Sequence, residues 1–142
     1  MFNLGKTVDI VSVFVKPNCA ASARVAYLVK QASASLQDRA TNGHATGHGL
    51  HYDVSEREPF EYNLTQEMPT TAQLHTIFSY VNRSDIPNIV HGAKNRNEAL
   101  KIYKQSKDSF IRPLTVDWNN GKVVTGDNES EILRLVFRRP RK

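Results

Sequence analysis

The run DIVSVFV, residues 9 to 15, constrains this chain more than any other stretch. It is rich in β-branched residues and stops at Lys16-Pro17, so it reads as a buried strand ended by a turn. Beyond the turn, Val25, Leu28, Val29, Ala32 and Leu36 fall at i, i+3, i+4, i+7 and i+11. That spacing is the apolar stripe of a helix lying on a sheet. Asn18 is the expected cap, because its side-chain oxygen can accept the orphan N–H groups of a first turn.

The rest of the chain continues in the same manner. FEYNLT puts Phe60, Tyr62 and Leu64 on one face of a half-buried strand. Thr70 and Gln73 stand at capping-box spacing before a helix whose core stripe is Leu74, Ile77, Phe78 and Val81. His75 lies beside that stripe and reads as a surface residue. DIPNIVHG reads as a short helical turn ending at Gly92, and NRNEALKIYKQSKD as a helix with Ala99, Leu100 and Tyr103 inward. RPLTVDW is a strand with proline at its entrance, where a missing N–H is tolerated. Asn120-Gly121 signals a two-residue hairpin leading to the strand KVVTG. A last helix starts with Asn128 as cap and Glu131 three residues on.

Strand, helix, strand, helix, helical insert, hairpin and helix together predict an α/β domain over residues 1–142. Its expected architecture is thioredoxin-like: a mixed four-stranded sheet with helices on both faces, and Cys19 and Pro113 at a shared edge. A polar His/Gly loop over residues 38–52 interrupts it, and a basic tail over 138–142 ends it. His44, His48 and His51 in the loop invite a metal reading. No cysteine stands near them and the flanking glycines disfavour a helix that would aim two imidazoles one way, so no metal site is expected.

The single cysteine excludes an internal disulfide, and no segment resembles a secretory signal, so a reducing compartment is expected. The sequons at Asn63, Asn82 and Asn128 then read as chance matches. No apolar stretch approaches the ~20 residues of a bilayer span. The opening MFNLGKTVDIVS is not an Arg- and Ser-rich presequence. The net charge of +5 lies partly in the tail, where Arg138, Arg139, Arg141 and Lys142 cluster. Such a run can attract phosphates, but it reads first as a solvated terminus, so no nucleic-acid partner is expected.

Cys19 is the residue with chemistry to offer. A thiol in a helix's first turn meets unpaired N–H groups and the positive end of the dipole. Both favour the thiolate, which is the nucleophile. Lys16 and Arg24 could add positive potential, and Ser22 completes a C-x-x-S whose hydroxyl could donate to the sulfur. The competing reading is a small buried hydrophobe.

VFVKPNCAASARVAYLVKQA resembles the catalytic opening of the arsenate reductase branch of thioredoxin-like proteins. MPTTAQLHTIF resembles that branch's helix start, and IRPLTVDWNNGKVVTGDNESEIL its Arg-Pro strand, hairpin and last helix. More narrowly, MFNLGKTVDIVSVFVKP and RPLTVDWNNGKVVTGDNESEILRL resemble a fungal family of small thioredoxin-like proteins catalogued as mitochondrial redox proteins. The resemblance implies Cys19 as nucleophile, Arg112 as an oxyanion-binding group and Pro113 as a cis proline that places backbone beside the sulfur to receive an extended thiol substrate. Arg24 stands one residue later than the branch's arginine, and no second arginine matches. The resemblance therefore carries the fold further than it carries oxyanion reduction.

The resulting expectation is a monothiol oxidoreductase of the mitochondrion. Cys19 would attack small molecules or disulfides, Ser22 and Arg112 would stabilise charge, and Pro113 and Arg24 would position substrate. With no second cysteine, an external thiol such as glutathione or a protein thiol must resolve the mixed disulfide. The alternative is a non-catalytic thioredoxin-like module that binds a mitochondrial protein or RNA through the tail, Trp118 and the hairpin.

Overall fold

The computed structural model describes residues 8–41 and 57–137. The DIVSVFV run forms β1 (Asp9–Phe14) in the interior of a four-stranded sheet, between β2 (Phe60–Thr65) and β3 (Leu114–Asp117). A strand with neighbours on both sides and helices on both faces is largely apolar, which explains Val11, Val13 and Phe14; the buried Ser12 is satisfied, its Oγ accepting from Asn63 Nδ2 and Trp118 Nε1. The fourth strand, β4 (Lys122–Thr125), makes the order β2-β1-β3-β4. β1 runs parallel to β2, with Val11 opposite Tyr62, and antiparallel to β3, with Phe14 opposite Leu114. The parallel pair requires a crossover, supplied by α1 (Ala20–Thr41). The sheet is thus mixed, within an α/β architecture.

α1 and α4 (Glu129–Phe137) cover one face. There Val25, Val29, Leu36, Ile132 and Val136 pack on Val11, Val13 and Phe60. α2 (Thr71–Tyr80) and α3 (Arg96–Gln105) cover the other, where Leu74, Ile77, Phe78 and Tyr103 pack with Phe14, Leu114 and Val116. The capping box forms as the spacing predicts: the Gln73 N–H donates to Thr70 Oγ1, and the Thr70 N–H donates to Gln73 Oε1. At the start of α4, Asn128 Oδ1 accepts the Glu131 N–H. His75 is exposed. The insert ends in a 3-10 helix over Arg83–Asn88 and a left-handed Gly92 at φ 86°.

Three sequence readings need correction. The cap of α1 is Cys19 rather than Asn18: the Cys19 carbonyl accepts the Ala23 N–H, while Asn18 stands outside the helix at φ 58°. Asparagine is among the few non-glycine residues that tolerate that left-handed conformation, and here it turns the chain into the helix. Second, α1 continues to Thr41, past the point where apolar periodicity ends, so the first residues assigned to the His/Gly loop are helical. The remainder of that loop, its three histidines and the basic tail fall outside the described residues. Third, Asp117 pairs with Lys122, so four residues rather than two connect β3 and β4. Both asparagines hold the wider loop: Asn119 Oδ1 accepts the Ile10 N–H, and Asn120 Nδ2 donates to both Asp9 and Asp117.

Those asparagines border a buried ionic cluster at the end of the sheet where β1 begins. Arg57, its side chain 1% exposed, donates from Nη1 to Asp117 (2.9 Å) and from Nη2 to Asp9 (2.8 Å). Nη1 also reaches the Leu135 carbonyl, and the guanidinium lies 4.9 Å from the Phe60 ring centroid. The arginine thereby joins β1, β2, β3 and α4 at one corner.

Candidate active site

The opposite end of the sheet gathers the residues singled out for chemistry. β1 ends in Val15, whose N–H donates to the Thr65 carbonyl at the end of β2. Lys16, Pro17 and Asn18 are exposed and carry the chain to Cys19, which is partly exposed. Ser22 is buried in the first turn, and its Oγ accepts the Lys16 N–H at 2.9 Å. The serine thus clips the approaching turn onto the helix it precedes.

As N-cap, Cys19 places its sulfur where a capping oxygen would normally sit. The thiol pKa is lowered from its ordinary value, first by the hydrogen bond from the Ser22 N–H. The Ser22 hydroxyl and the Ala21 N–H add to this as further donors, as does the positive charge of Lys16; partial desolvation opposes them. The donors act on the charged form, and a thiolate gains more from them than a thiol does. The sequence identified Ser22 and Lys16. It also points to unpaired first-turn N–H groups, and the structure names Ser22 and Ala21 as the residues that supply them.

Arg112 and Pro113 stand at the same end, since Leu114 is paired with Phe14. The Arg112–Pro113 bond is cis. Arg112 Nη1 donates to the Val15 carbonyl at 3.2 Å, and its Nε is buried without a hydrogen-bond partner. The Pro113 carbonyl accepts the Gly126 N–H at 3.2 Å, which ties the end of β4 to the start of β3. Next to Gly126, Asp127 forms an ion pair with Arg24 of α1. The positive charge acting on the thiol is therefore that of Lys16, whereas Arg24 is engaged with a carboxylate. Among the described residues, no group of three or more His, Cys, Asp or Glu is placed to hold a metal. No described helix is long and apolar enough to cross a membrane.

Residues 2–126 match the model of a family described as protein of unknown function DUF1687. The chain belongs to that family. A curated relative, "Putative redox protein fmp46, mitochondrial" of Schizosaccharomyces pombe, is 33% identical over 64 residues, covering 45% of this chain and 53% of the relative. The chain thus spans about half the length of the curated relative it matches. The relative's name carries both the redox role and the mitochondrial location that the family resemblance implied. No solved structure matches.

Proposed function

We propose that this chain is a thioredoxin-like monothiol oxidoreductase acting in the mitochondrion through Cys19. The observation that supports this reading best is the thiol itself, partly exposed at the N-cap of α1 and accepting hydrogen bonds that lower its pKa. A core cysteine would be buried and would have no such donors. The redox and mitochondrial terms in the relative's name agree with it.

The chemistry is thiol–disulfide exchange in two steps. The Cys19 thiolate attacks one sulfur of a disulfide; a new S–S bond forms as the old one breaks, and the departing thiolate takes a proton from water. The thiolate of glutathione then attacks the substrate sulfur of the mixed disulfide. Cys19 leaves as a thiolate, and the second disulfide departs with the substrate's sulfur bonded to that of glutathione. The two electrons come from the external thiols, as a chain with one cysteine requires. Ser22 stabilises the Cys19 thiolate in both its starting and leaving roles. Arg112 and Pro113 position the substrate beside the sulfur, and Arg24 fixes the adjacent turn through Asp127.

The test is reduction by glutathione of a mixed disulfide between glutathione and a small thiol, coupled to glutathione reductase, with wild type and Cys19→Ser; here Cys19 takes the glutathionyl sulfur and the second disulfide is glutathione disulfide. Wild type should turn over and yield a Cys19 adduct bearing one glutathionyl group by mass spectrometry. The variant should do neither while melting like the wild type. Turnover retained in Cys19→Ser would remove the mechanism.

A further inference from the structure

The solvent face of α3 serves none of the roles above, and its charge is out of proportion to its size. Residues 94–107 contain five basic side chains, Lys94, Arg96, Lys101, Lys104 and Lys107, against one acidic one, Glu98. Outside this segment and the tail 138–142, the chain has ten basic and thirteen acidic residues. A basic island thus sits on an otherwise acidic body.

The fold displays this charge instead of neutralising it. Ala99 and Tyr103 are the buried side of α3, and the 100° turn per residue sends Asn97, Lys101 and Lys104 to the opposite side, where all three are exposed. Lys94 and Lys107 flank the helix and are also exposed. Glu98 does not offset them: its Oε1 accepts the Lys94 backbone N–H at 2.7 Å, and its own N–H is capped by Asn95. Among the described residues none of the four lysines forms a salt bridge. Lys107 lies with Nζ 5.5 Å from the Tyr103 ring centroid. Tyr103 in turn donates to the Pro69 carbonyl and feels the Arg112 charge, which sets the last turn of α3 toward the Cys19 end of the sheet.

We propose that the α3 face docks the protein on an anionic phospholipid surface. Charge complementarity calls for an anionic partner, and the make-up of the face selects among such partners. A protein interface draws its affinity from aromatic or apolar anchors in pockets, and the exposed residues of α3 are Arg96, Asn97, Lys101, Lys104 and Gln105, none of them aromatic or apolar. Single-stranded nucleic acid is held on stacking aromatics, and the aromatic ring of α3, Tyr103, is buried. A row of mobile ammonium groups suits a fluid layer of headgroups, which needs no fixed geometry and attracts lysines through diffuse surface potential.

The experiment is sedimentation of the full chain with vesicles of two parts phosphatidylcholine to one part phosphatidylglycerol, against vesicles of phosphatidylcholine alone. Binding should require the anionic lipid and fall steeply with added salt. Lys101→Ala/Lys104→Ala should bind weaker by about fivefold per lysine, some 25-fold together. Alanine at exposed helix positions preserves the helix, and an unchanged melting curve checks this. Cys19→Ser should bind like the wild type, so the result stands apart from the redox reading. Equal binding to neutral vesicles would overturn the proposal. So would full binding by the double variant with loss on removing residues 138–142, or retention on duplex RNA or a poly-glutamate column without vesicle binding.

Discussion

Replacing Arg57 by methionine removes one guanidinium and keeps most of the volume of its stem. The arginine's side chain and that of Asp117 are each 1% exposed, whereas Asp9 is 33% exposed. Without Arg57, Asp9 can recover water but Asp117 cannot. Removing one member of a buried pair costs roughly 3–5 kcal/mol, because the remaining charge is left uncompensated. Asn120 Nδ2 still donates to Asp117 at 3.1 and 2.9 Å, which favours the lower end of that range. The lost contact with the Phe60 ring adds roughly 0.5–1 kcal/mol. The expected loss is therefore about 3–4 kcal/mol, a fall in Tm on the order of 10 °C for a domain of this size. Urea unfolding would read it as a lower midpoint at unchanged slope. Adding Asp117→Asn removes the stranded charge as well, so the double variant should be more stable than the sum of the single losses by about 1–3 kcal/mol. Cys19 alkylation should not change, since the cluster lies at the other end of the sheet. A single variant within ~1 kcal/mol of wild type, or strict additivity in the double, would refute the argument that this corner depends on charge compensation.

Two further predictions concern the thiol. Because the Cys19 pKa is lowered on folding, its ionisation contributes stability that is present above the unfolded thiol pKa and lost as pH falls through the folded one. Wild type should therefore gain stability over Cys19→Ser as pH rises through that window. Alkylation of native protein should reach half its maximal rate at lower pH than denatured protein; coincident curves would refute the shift. Ser22→Ala deletes both the hydroxyl bond to the sulfur and the acceptor for the Lys16 N–H. It should move the alkylation midpoint upward and lower stability by about 1 kcal/mol, and an unmoved midpoint would show that the backbone donors suffice.

The elements came through in the sequence because their signals are local. Four β-branched residues in DIVSVFV, the Thr70–Gln73 box and the Asn128–Glu131 spacing each express a preference of the chain for itself, and each formed as read. The extent of α1 and the width of the β3–β4 loop were misread for the converse reason. Residues 37–41 lack an apolar stripe yet are helical, and the Asn120-Gly121 turn is widened by partners far along the chain, with Asn120 reaching Asp9 and Asn119 the Ile10 N–H.

The candidate site divides in the same way. That one cysteine stands where a strand passes into a helix, with Ser22 and Lys16 close in the chain, is legible from residue order, because those relations span a single turn. That Cys19 itself is the cap, that the Ala21 N–H is among its donors, and that Asp127 engages Arg24 while Val15 takes Arg112 follow from the packed chain. The same packing brought Arg57, Asp9 and Asp117 into one buried cluster. Contacts between residues tens of positions apart depend on strand order and register, and those are fixed by how the whole chain packs.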